Sequence, residues 1–313
     1  MSVESVAATV AEPPRVLRMR GLRKQYANVP ALQGLDLDVH EGQVYGFLGR
    51  NGAGKSTGLR IVMGITAANA GHVEIFGRAL NRGDIDAKRS IGYVAQEQSF
   101  YEWMTAESIG RFVSGFYPTW DDAEYLRLLN LLEVPRARKL QTFSGGMHAK
   151  LALTLALAHR PKLLLLDEPT AGMDAVARRE FMEIVRDQAE RAHRTTVFSS
   201  HLIDEVEIAA DTVGIVHEGR MLYQGPVDAL RASVRSVTHA LDGPVRPWFP
   251  PVDDGLAPGL QVLQDRERAG KRQLILRAKD PAVFTTMRVA GWQVEPLRLE
   301  ETFVAMVTRP VAL

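Results

Sequence analysis

The stretch Gly49-Arg-Asn-Gly-Ala-Gly-Lys-Ser56 decides the fold of this chain. It follows an almost continuous apolar run, Val44 to Leu48, and it precedes a helical pattern. Continuous apolar runs are typical of strands that are buried on both faces of a parallel sheet. Glycines let backbone N–H groups curl around phosphate oxygens, and the helix N-terminus adds the positive end of its dipole. The spacing therefore predicts a phosphate-binding loop between a buried strand and a helix.

Two side chains of this stretch supply what a phosphate site needs beyond backbone N–H groups. Lys55 is placed to reach the β- and γ-phosphates of a nucleoside triphosphate, and the Ser56 hydroxyl is placed to ligate Mg²⁺. The alternative interpretation is a glycine-rich turn with an exposed lysine. The strand pattern before the stretch and the helical pattern after it favour the phosphate-binding interpretation.

A second motif places two carboxylates after another buried run. Leu163 to Leu166 is continuously apolar and leads into Asp167, Glu168 and Pro169. Ligands bind at the carboxyl ends of the strands in parallel α/β sheets. Asp167 suits a Mg²⁺-associated role, and Glu168 suits general-base activation of the attacking water. Alone, an Asp-Glu pair after a strand is better explained as a helix cap or a solvated turn, but its pairing with the phosphate loop favours the catalytic interpretation.

Strand and helix patterns alternate through most of the chain. The predicted strands are Val16–Tyr26, Leu35–Val39, Val44–Leu48, Ile91–Ala95, Leu163–Leu166, Thr195–Phe198 and Thr212–Val216. Helical patterns lie between them; in one, Phe181, Ile184, Val185 and Ala189 fall on a single face. Strands that alternate with helices indicate an α/β core. From Phe100 to Lys139 the periodicity is helical, with no buried-strand pattern, which predicts a helical insertion in that core.

The C-terminal part differs in composition from the core. A proline-rich segment from Gly243 to Pro251 predicts a linker. Beyond it, Leu274–Leu276 is expected to be a strand and Pro281–Ala290 a helix. The predicted organisation is a disordered tail over 1–14, a core domain over 15–235 with its helical part at about 97–148, and a small α+β domain over 236–313.

Composition excludes several classes of protein. The chain has 313 residues, with 38 Lys+Arg against 37 Asp+Glu, so binding of nucleic acid through bulk positive charge is excluded. It has 0 Cys, which excludes thiol catalysis, Cys-ligated zinc and disulfides. The most apolar stretch, Leu151 to Leu166, is interrupted by His159, Arg160, Pro161 and Lys162, so no membrane span is predicted. The N-terminus lacks the basic region of a signal peptide.

Together these motifs resemble the nucleotide-binding subunits of ABC transporters, over roughly Val16 to Val234. Phe143-Ser144-Gly145-Gly146-Met147 resembles the signature loop of that family, in which the loop contacts ATP held by the opposite subunit. On its own, Ser144 is better explained as an ordinary helix N-cap. The resemblance implies a P-loop α/β core with an antiparallel β subdomain and the helical insertion.

The resemblance also implies roles for single residues. Gln96 is similar to the glutamine that senses Mg²⁺ and the attacking water, and His201 to the switch histidine that contacts the γ-phosphate. Asp174 lies in a segment similar to the loop that aligns the two subunits, and Tyr26 is similar to the aromatic residue that stacks on adenine. The alternatives are a solvated glutamine, a structural histidine and a core or edge-strand tyrosine. The implied nucleotide-binding residues are Tyr26, Gly49, Asn51, Gly52, Gly54, Lys55, Ser56 and Thr57, and the implied Mg²⁺ residues are Ser56, Gln96 and Asp167.

Several positions depart from the usual pattern of the family. Arg50 stands where proline is usual, Met173 where leucine is usual, and Phe143 and Met147 where leucine and glutamine are commonest. His148 after the signature is also unusual. None of these changes removes a catalytic group, so hydrolysis is expected to be intact.

In this family two ATP molecules lie between two head-to-tail subunits. One phosphate loop and one signature imply a second ATPase subunit, workable as a homodimer, and an integral membrane permease as partner, with no nucleic acid. The expected location is peripheral, at the cytoplasmic face of the cell membrane. The terminal Leu299–Met306 and the phrase Phe116–Asp121 resemble ABC-2-type exporter subunits. An importer with a regulatory C-terminal domain, and a translation or DNA-repair ATPase without a transporter, remain open.

Overall fold

The computed structural model describes residues 13–81, 83–240, 259–268, 271–289 and 292–308. Most of the predicted tail over 1–14 and all of the predicted linker over 243–251 lie outside these ranges. The strands in these ranges are β1 (Arg15–Tyr26), β2 (Val29–His40), β3 (Val44–Leu48), β4 (Ala70–Ile75), β5 (Arg78–Ala79), β6 (Ile91–Val94), β7 (Leu163–Asp167), β8 (Thr195–Ser200), β9 (Thr212–His217), β10 (Arg220–Pro226), β11 (Val234–Ala240), β12 (Leu260–Arg268), β13 (Lys271–Ala278) and β14 (Gln293–Pro296).

Helices connect these strands and form a separate cluster in the middle of the chain. They are α1 (Lys55–Val62), α2 (Ile85–Arg89), α3 (Ala106–Ser114), α4 (Asp122–Leu131), α5 (Gly145–Ala158), α6 (Ala175–Ala192), α7 (Ile203–Ala209), α8 (Val227–Ser233), α9 (Ala282–Val289) and α10 (Leu299–Val307), with a 3₁₀ turn at Leu140–Thr142. Within the described part of the chain, none of these helices is long and apolar enough to cross a membrane.

A largely parallel sheet forms the centre of the molecule, in the order β10-β9-β3-β8-β7-β6. The strands from β9 to β6 run parallel, and β10 pairs antiparallel with β9 at the edge. Every residue of β3, β7 and β8 is buried, as their continuous apolar runs predict. The register pairs Leu48 with Ser200, Asp167 with Ser199, and Val94 with Leu166. The carboxyl ends of β3, β8, β7 and β6 therefore meet at one edge of the sheet.

An antiparallel sheet, β2-β1-β4-β5, covers α1. Leu17, Met19, Leu35 and Leu37 of β1 and β2 are fully or almost fully buried, because alternate side chains of each strand face the same apolar core. Strand β2 begins earlier than the predicted Leu35–Val39, because its first half contains Pro30 and Gly34, which are uncommon in strands and hide the pattern. This is the antiparallel β subdomain that the family resemblance implies.

The predicted helical insertion is confirmed by α3, α4 and α5. Among the described residues, Phe100 to Lys139 contains no strand, only the isolated bridge between Thr105 and Lys139. The Tyr125 hydroxyl of α4 donates to the Ala106 carbonyl of α3 at 2.5 Å, which joins these two helices. Helix α5 then leads from this cluster back to β7 and is buried along most of its length.

A third sheet, β12-β13-β11-β14, is antiparallel throughout and begins at Val234. Phe284 and Met287 of α9 pack on one of its faces. Residues Leu299 and Phe303 of α10 belong to the same apolar cluster as Leu230 of α8. The C-terminal region is therefore continuous with the core of the molecule. The sequence patterns predicted β13 and α9 here but missed β11, β12 and β14.

Candidate nucleotide-binding and hydrolytic site

The loop between β3 and α1 is shaped by glycines at positions that no other residue fills easily. Gly54, which precedes α1, has φ 104°, a left-handed conformation that favours glycine. A Cβ on Gly49 would lie 2.6 Å from the carbonyl oxygen of Val216, inside van der Waals contact. Because Gly54 caps α1 without a side chain, no side-chain oxygen from the cap occupies the first N–H groups of the helix. These N–H groups are available to an anionic ligand.

Lys55 holds this loop against the end of β7. Its side chain is 3% exposed, and its ammonium donates to the carbonyl oxygens of Gly49 at 2.7 Å and Arg50 at 3.2 Å. Its Nζ also lies 3.1 Å from Oε1 of Glu168. A lysine ammonium has three protons to donate, so these three oxygens account for its donors in this conformation.

The Asp167 carboxylate is completely buried at the centre of the site. Its Oδ1 accepts hydrogen bonds from the hydroxyls of Ser56 and Ser199, each at 2.7 Å. Its Oδ2 is buried and has no hydrogen-bond partner among the described residues. Buried polar atoms without a partner are rare in native proteins, and they commonly mark a place for a water or an ion.

The oxygen donors at this place fit Mg²⁺. Mg²⁺ prefers oxygen ligands and is commonly held by one or two carboxylates together with substrate phosphates. The Asp167 carboxylate and the Ser56 hydroxyl offer such oxygens beside the phosphate loop. The described residues contain no cluster of three or more His, Cys, Asp or Glu side chains suited to a metal, so they do not form an all-protein cage.

Glu168 lies between Lys55 and His201. Its φ of 44° is left-handed, a conformation that costs free energy for a residue other than glycine and is concentrated at functional sites. One carboxylate oxygen faces Lys55, and the other lies 3.1 Å from Nδ1 of His201. The backbone N–H of Glu168 donates to the Ser199 hydroxyl at 2.9 Å. Ser199 therefore contacts both residues of the motif, the carboxylate of Asp167 and the backbone of Glu168.

Gln96 and Tyr26 lie at the border of this network. Gln96 is exposed and follows β6, and the pairing of Val94 with Leu166 puts it level with Glu168 along the sheet edge. Tyr26 ends β1 and is 45% exposed, with the Lys24 ammonium 4.9 Å from its ring centre. The strand that follows contacts the phosphate loop, because a Cβ on Gly54 would lie 2.6 Å from the Ala31 carbonyl oxygen.

The signature and alignment segments lie at the starts of two helices. The Ser144 hydroxyl accepts from the N–H of Met147 at 3.3 Å, so it caps α5, and Gly145 and Gly146 form the first turn. Asp174 caps α6 through the N–H groups of Val176 and Ala177, both at 2.9 Å. In the part of the chain that the structure describes, neither side chain joins the network around Asp167.

Four polar residues near the site were not predicted from the sequence. Ser199 lies one residue beyond the predicted strand Thr195–Phe198, and its partners, Asp167 and Glu168, are far away in the sequence. Thr170, Arg178 and Glu205 form a second buried network behind Glu168, described below. A signal was present for Glu205, a charged residue followed directly by the apolar Val206 on a helix that packs on the sheet.

The loop, the buried aspartate and the parallel sheet define the class of P-loop nucleotide-binding proteins. A family model described as ABC transporter matches residues 32–171. The chain belongs to the ATP-binding proteins of ABC transporters, since it is 34% identical over 219 residues to the bacitracin transport ATP-binding protein BcrA of Bacillus licheniformis, covering 69% of this chain and 71% of that protein.

Two further comparisons concern most of the length of the chain and its fold. The chain is 27% identical over 294 residues to the ABC transporter ATP-binding protein YtrB of Bacillus subtilis, covering 93% of this chain and 97% of that protein. The solved structure of an ATP-binding subunit of an ABC transporter superposes with a TM-score of 0.61 at 28% identity, over 69% of this chain and 92% of that one. The predicted family and fold are thereby confirmed.

Replacing Ser199 with alanine is expected to destabilise the site from within. The change leaves Asp167 and the Glu168 N–H each short of a buried hydrogen bond, which costs about 1–3 kcal/mol in the free energy of unfolding. The matched control is Thr196→Val on the same strand, because the Thr196 hydroxyl is buried with no hydrogen-bond partner in the described ranges. Urea denaturation measures both changes, and equal losses for the two variants would contradict the assigned role of Ser199.

Proposed function

We propose that this chain is the ATP-hydrolysing subunit of a membrane exporter. It couples ATP binding and hydrolysis, in a head-to-tail dimer, to transport by a separate transmembrane subunit. The observation that carries the proposal is the position of Glu168, with one carboxylate oxygen at Lys55 and the other at His201. Membership of the ABC transporter ATP-binding family supports the same assignment.

ATP binding is proposed to replace the contacts that Lys55 makes within the chain. Phosphate oxygens take the place of the Gly49 and Arg50 carbonyls and of the Glu168 carboxylate, while N–H groups of the loop and the first turn of α1 bind the remaining oxygens. Asn51, Gly52 and Thr57 belong to this same segment. Tyr26 is exposed as an adenine-stacking residue must be.

Ser56 and Asp167 are the proposed Mg²⁺ ligands, with Gln96 nearby at the same edge of the sheet. When bound, Mg²⁺ neutralises charge that develops on the transferred phosphoryl group. Asp167 enters this role with one oxygen already fixed by Ser56 and Ser199, so its other oxygen is oriented before the ligand arrives. Such preorganisation avoids rearrangement during the reaction.

Glu168 is the proposed general base. Once Lys55 turns to the phosphates, the carboxylate is free to accept a proton from the attacking water. His201 lies close enough to Glu168 to orient it. We propose that His201 also contacts the γ-phosphate, as the family resemblance implies. The backbone of Glu168 is left-handed, and its side chain reaches Lys55 at the loop.

The dimer is proposed from the positions of Ser144, Gly145 and Gly146. They form the exposed start of α5, where backbone N–H groups and the positive end of the helix dipole suit a phosphate. They take no part in the network around Asp167, so their ATP is proposed to be the one held by a second subunit. Asp174 at the start of α6 is proposed to align the two subunits. A closed two-fold pair of this kind uses the same surface twice.

Replacing Glu168 with glutamine should abolish turnover and preserve ATP binding. A general base contributes about 100-fold to 10,000-fold to a rate, so kcat should fall by at least about 100-fold. With ATP and Mg²⁺ the variant should elute as a dimer in gel filtration. The matched control is Glu183→Gln, which alters an exposed i,i+4 pair with Arg179 on α6. Normal phosphate release by Glu168→Gln would contradict the general-base assignment.

A groove beside Gln96 is the proposed docking site of the transmembrane subunit. It has a volume of about 370 Å³, and its lining includes Tyr93, Phe100, Val113 and Leu155. His159 lies at its base, stacked on Tyr117 with ring centres 4.0 Å apart. Burial lowers the pKa of His159 below its ordinary value, so the ring is neutral at physiological pH. The lining also includes Glu97, Gln98 and Ser99, so the groove suits an amphipathic helical segment.

Exposed aromatic side chains extend this surface. Tyr101, Trp103, Phe112 and Phe116 are each at least 50% exposed and contact one another ring to ring. Contiguous exposed apolar surface of this kind commonly marks a binding site for a partner. The patch begins at Tyr101, a few residues after Gln96, so a short stretch of chain connects the proposed nucleotide site to the proposed partner. A peripheral location at the cytoplasmic face of the membrane follows from this proposal.

Export is the proposed direction of transport. The name of the relative from Bacillus licheniformis refers to bacitracin transport, and the segments Phe116–Asp121 and Leu299–Met306 resemble those of ABC-2-type exporter subunits. We propose an antibiotic, drug or lipid as the class of cargo.

Truncating two aromatic residues of the patch should weaken the membrane partnership. The variant Trp103→Ala/Phe112→Ala should recover much less transmembrane subunit in affinity purification from detergent-solubilised membranes, with ATP affinity unchanged. Ile85→Ala is the control, because Ile85 is 62% exposed but lies on α2, outside the patch. Equal recovery with both variants would contradict the docking site. Recovery of ribosomes or DNA by the wild type would contradict the transporter assignment.

A further inference from the structure

Glu205 is a buried carboxylate that the proposed reaction does not use. It lies on α7, four residues after His201, and is 1% exposed. Burying a carboxylate is costly unless it is paired and hydrogen-bonded. The residues that pair with Glu205 therefore indicate which part of the site this buried carboxylate stabilises.

Both partners belong to the segment that follows Glu168. The Thr170 hydroxyl donates to Oε1 of Glu205, and Thr170 lies two residues after Glu168. Nε of Arg178 lies 3.7 Å from the same oxygen, and Arg178 is in the first turn of α6. Arg178 also donates from Nη2 to the Met173 carbonyl at 3.2 Å. The Glu205 carboxylate thus contacts the start of the segment from Thr170 to Asp174 directly, and it contacts the end of that segment through Arg178.

This network borders the catalytic groups directly. A cavity of about 140 Å³ is lined by Glu168 and His201 on one side and by Thr170, Arg178 and Glu205 on the other. Nε of Arg178 is buried and makes no hydrogen bond in the described ranges, because 3.7 Å from Glu205 is too long for one. The pair is therefore held by charge and by enclosure, and a small shift of α7 would change it.

We infer that Glu205 is a positioning residue that couples His201 to the segment carrying Glu168 and Asp174. This inference rests on the proposed ATP hydrolysis. Because Glu205 and His201 belong to one short stretch, a displacement of His201 moves the anchor of Thr170 and Arg178. The positions of Glu168 and Asp174 then change together with the position of His201. ATP is bound by other groups, so the coupling acts on turnover and not on affinity.

The test compares Glu205→Gln, Thr170→Val and the control Glu207→Gln in the full chain. Glu207 is on the same helix but forms an exposed pair with Arg231 at 2.7 Å. A displacement of about 1 Å at reacting groups costs about 100-fold, so we expect kcat to fall by about 10-fold to 100-fold in the first two variants. The affinity for ATP, measured by calorimetry, should stay within about two-fold of the wild type because Lys55 and the loop are untouched. Glu207→Gln should match the wild type in both quantities.

Two outcomes would overturn the inference. Wild-type kcat in both Glu205→Gln and Thr170→Val would show that the network does not position the catalytic groups. An equal loss of ATP affinity and turnover, with a lowered melting temperature, would show a merely structural role. If Glu205→Gln does not fold, Thr170→Val decides, since it removes one hydroxyl and keeps the buried ion pair. Absence of hydrolysis by the wild type would instead refute the proposed function and this inference with it.

Discussion

The arrangement of the site depends on the buried carboxylate of Asp167. It stands at the end of a central parallel strand, where water does not reach it. Its hydrogen bonds to Ser56 and Ser199 join α1 and β8 to β7, so the loop before α1 and the end of β8, which leads to His201, are both fixed to Asp167. A buried carboxylate with one unpartnered oxygen is costly by itself, and the proposed Mg²⁺ would offset that cost.

Lys55 shows how the resting arrangement and the proposed active arrangement are connected. In this conformation its three donors are used by two loop carbonyls and Glu168. A triphosphate offers stronger acceptors for the same donors, because charge-assisted hydrogen bonds to phosphate are short and strong. In the proposed mechanism this exchange frees Glu168 to accept a proton from the attacking water, so nucleotide binding and activation of the base belong to one rearrangement.

Local sequence patterns were sufficient for the parts of the fold with strong periodicity. Strand β3 was predicted at its observed bounds, because it is buried on both faces and therefore continuously apolar. Strands such as β11 and β12 were missed, because the buried polar residues Ser236 and Gln264 interrupt their apolar alternation. Ser199 and Glu205 were missed for another reason: their importance comes from partners that are distant along the chain. The spacing of the motifs was enough to single out Lys55, Asp167 and Glu168, which the structure brings to one site.

Isothermal titration calorimetry with ATP and Mg²⁺ tests the central claim most directly. The wild type should bind about one nucleotide per chain, and Lys55→Ala should bind it at least about ten-fold more weakly, because a charged hydrogen bond is worth about 1.5–3 kcal/mol. Lys162→Ala, which alters an exposed lysine at the opposite end of β7, should bind like the wild type. Equal affinity of the wild type and Lys55→Ala would contradict the phosphate-binding account of this loop.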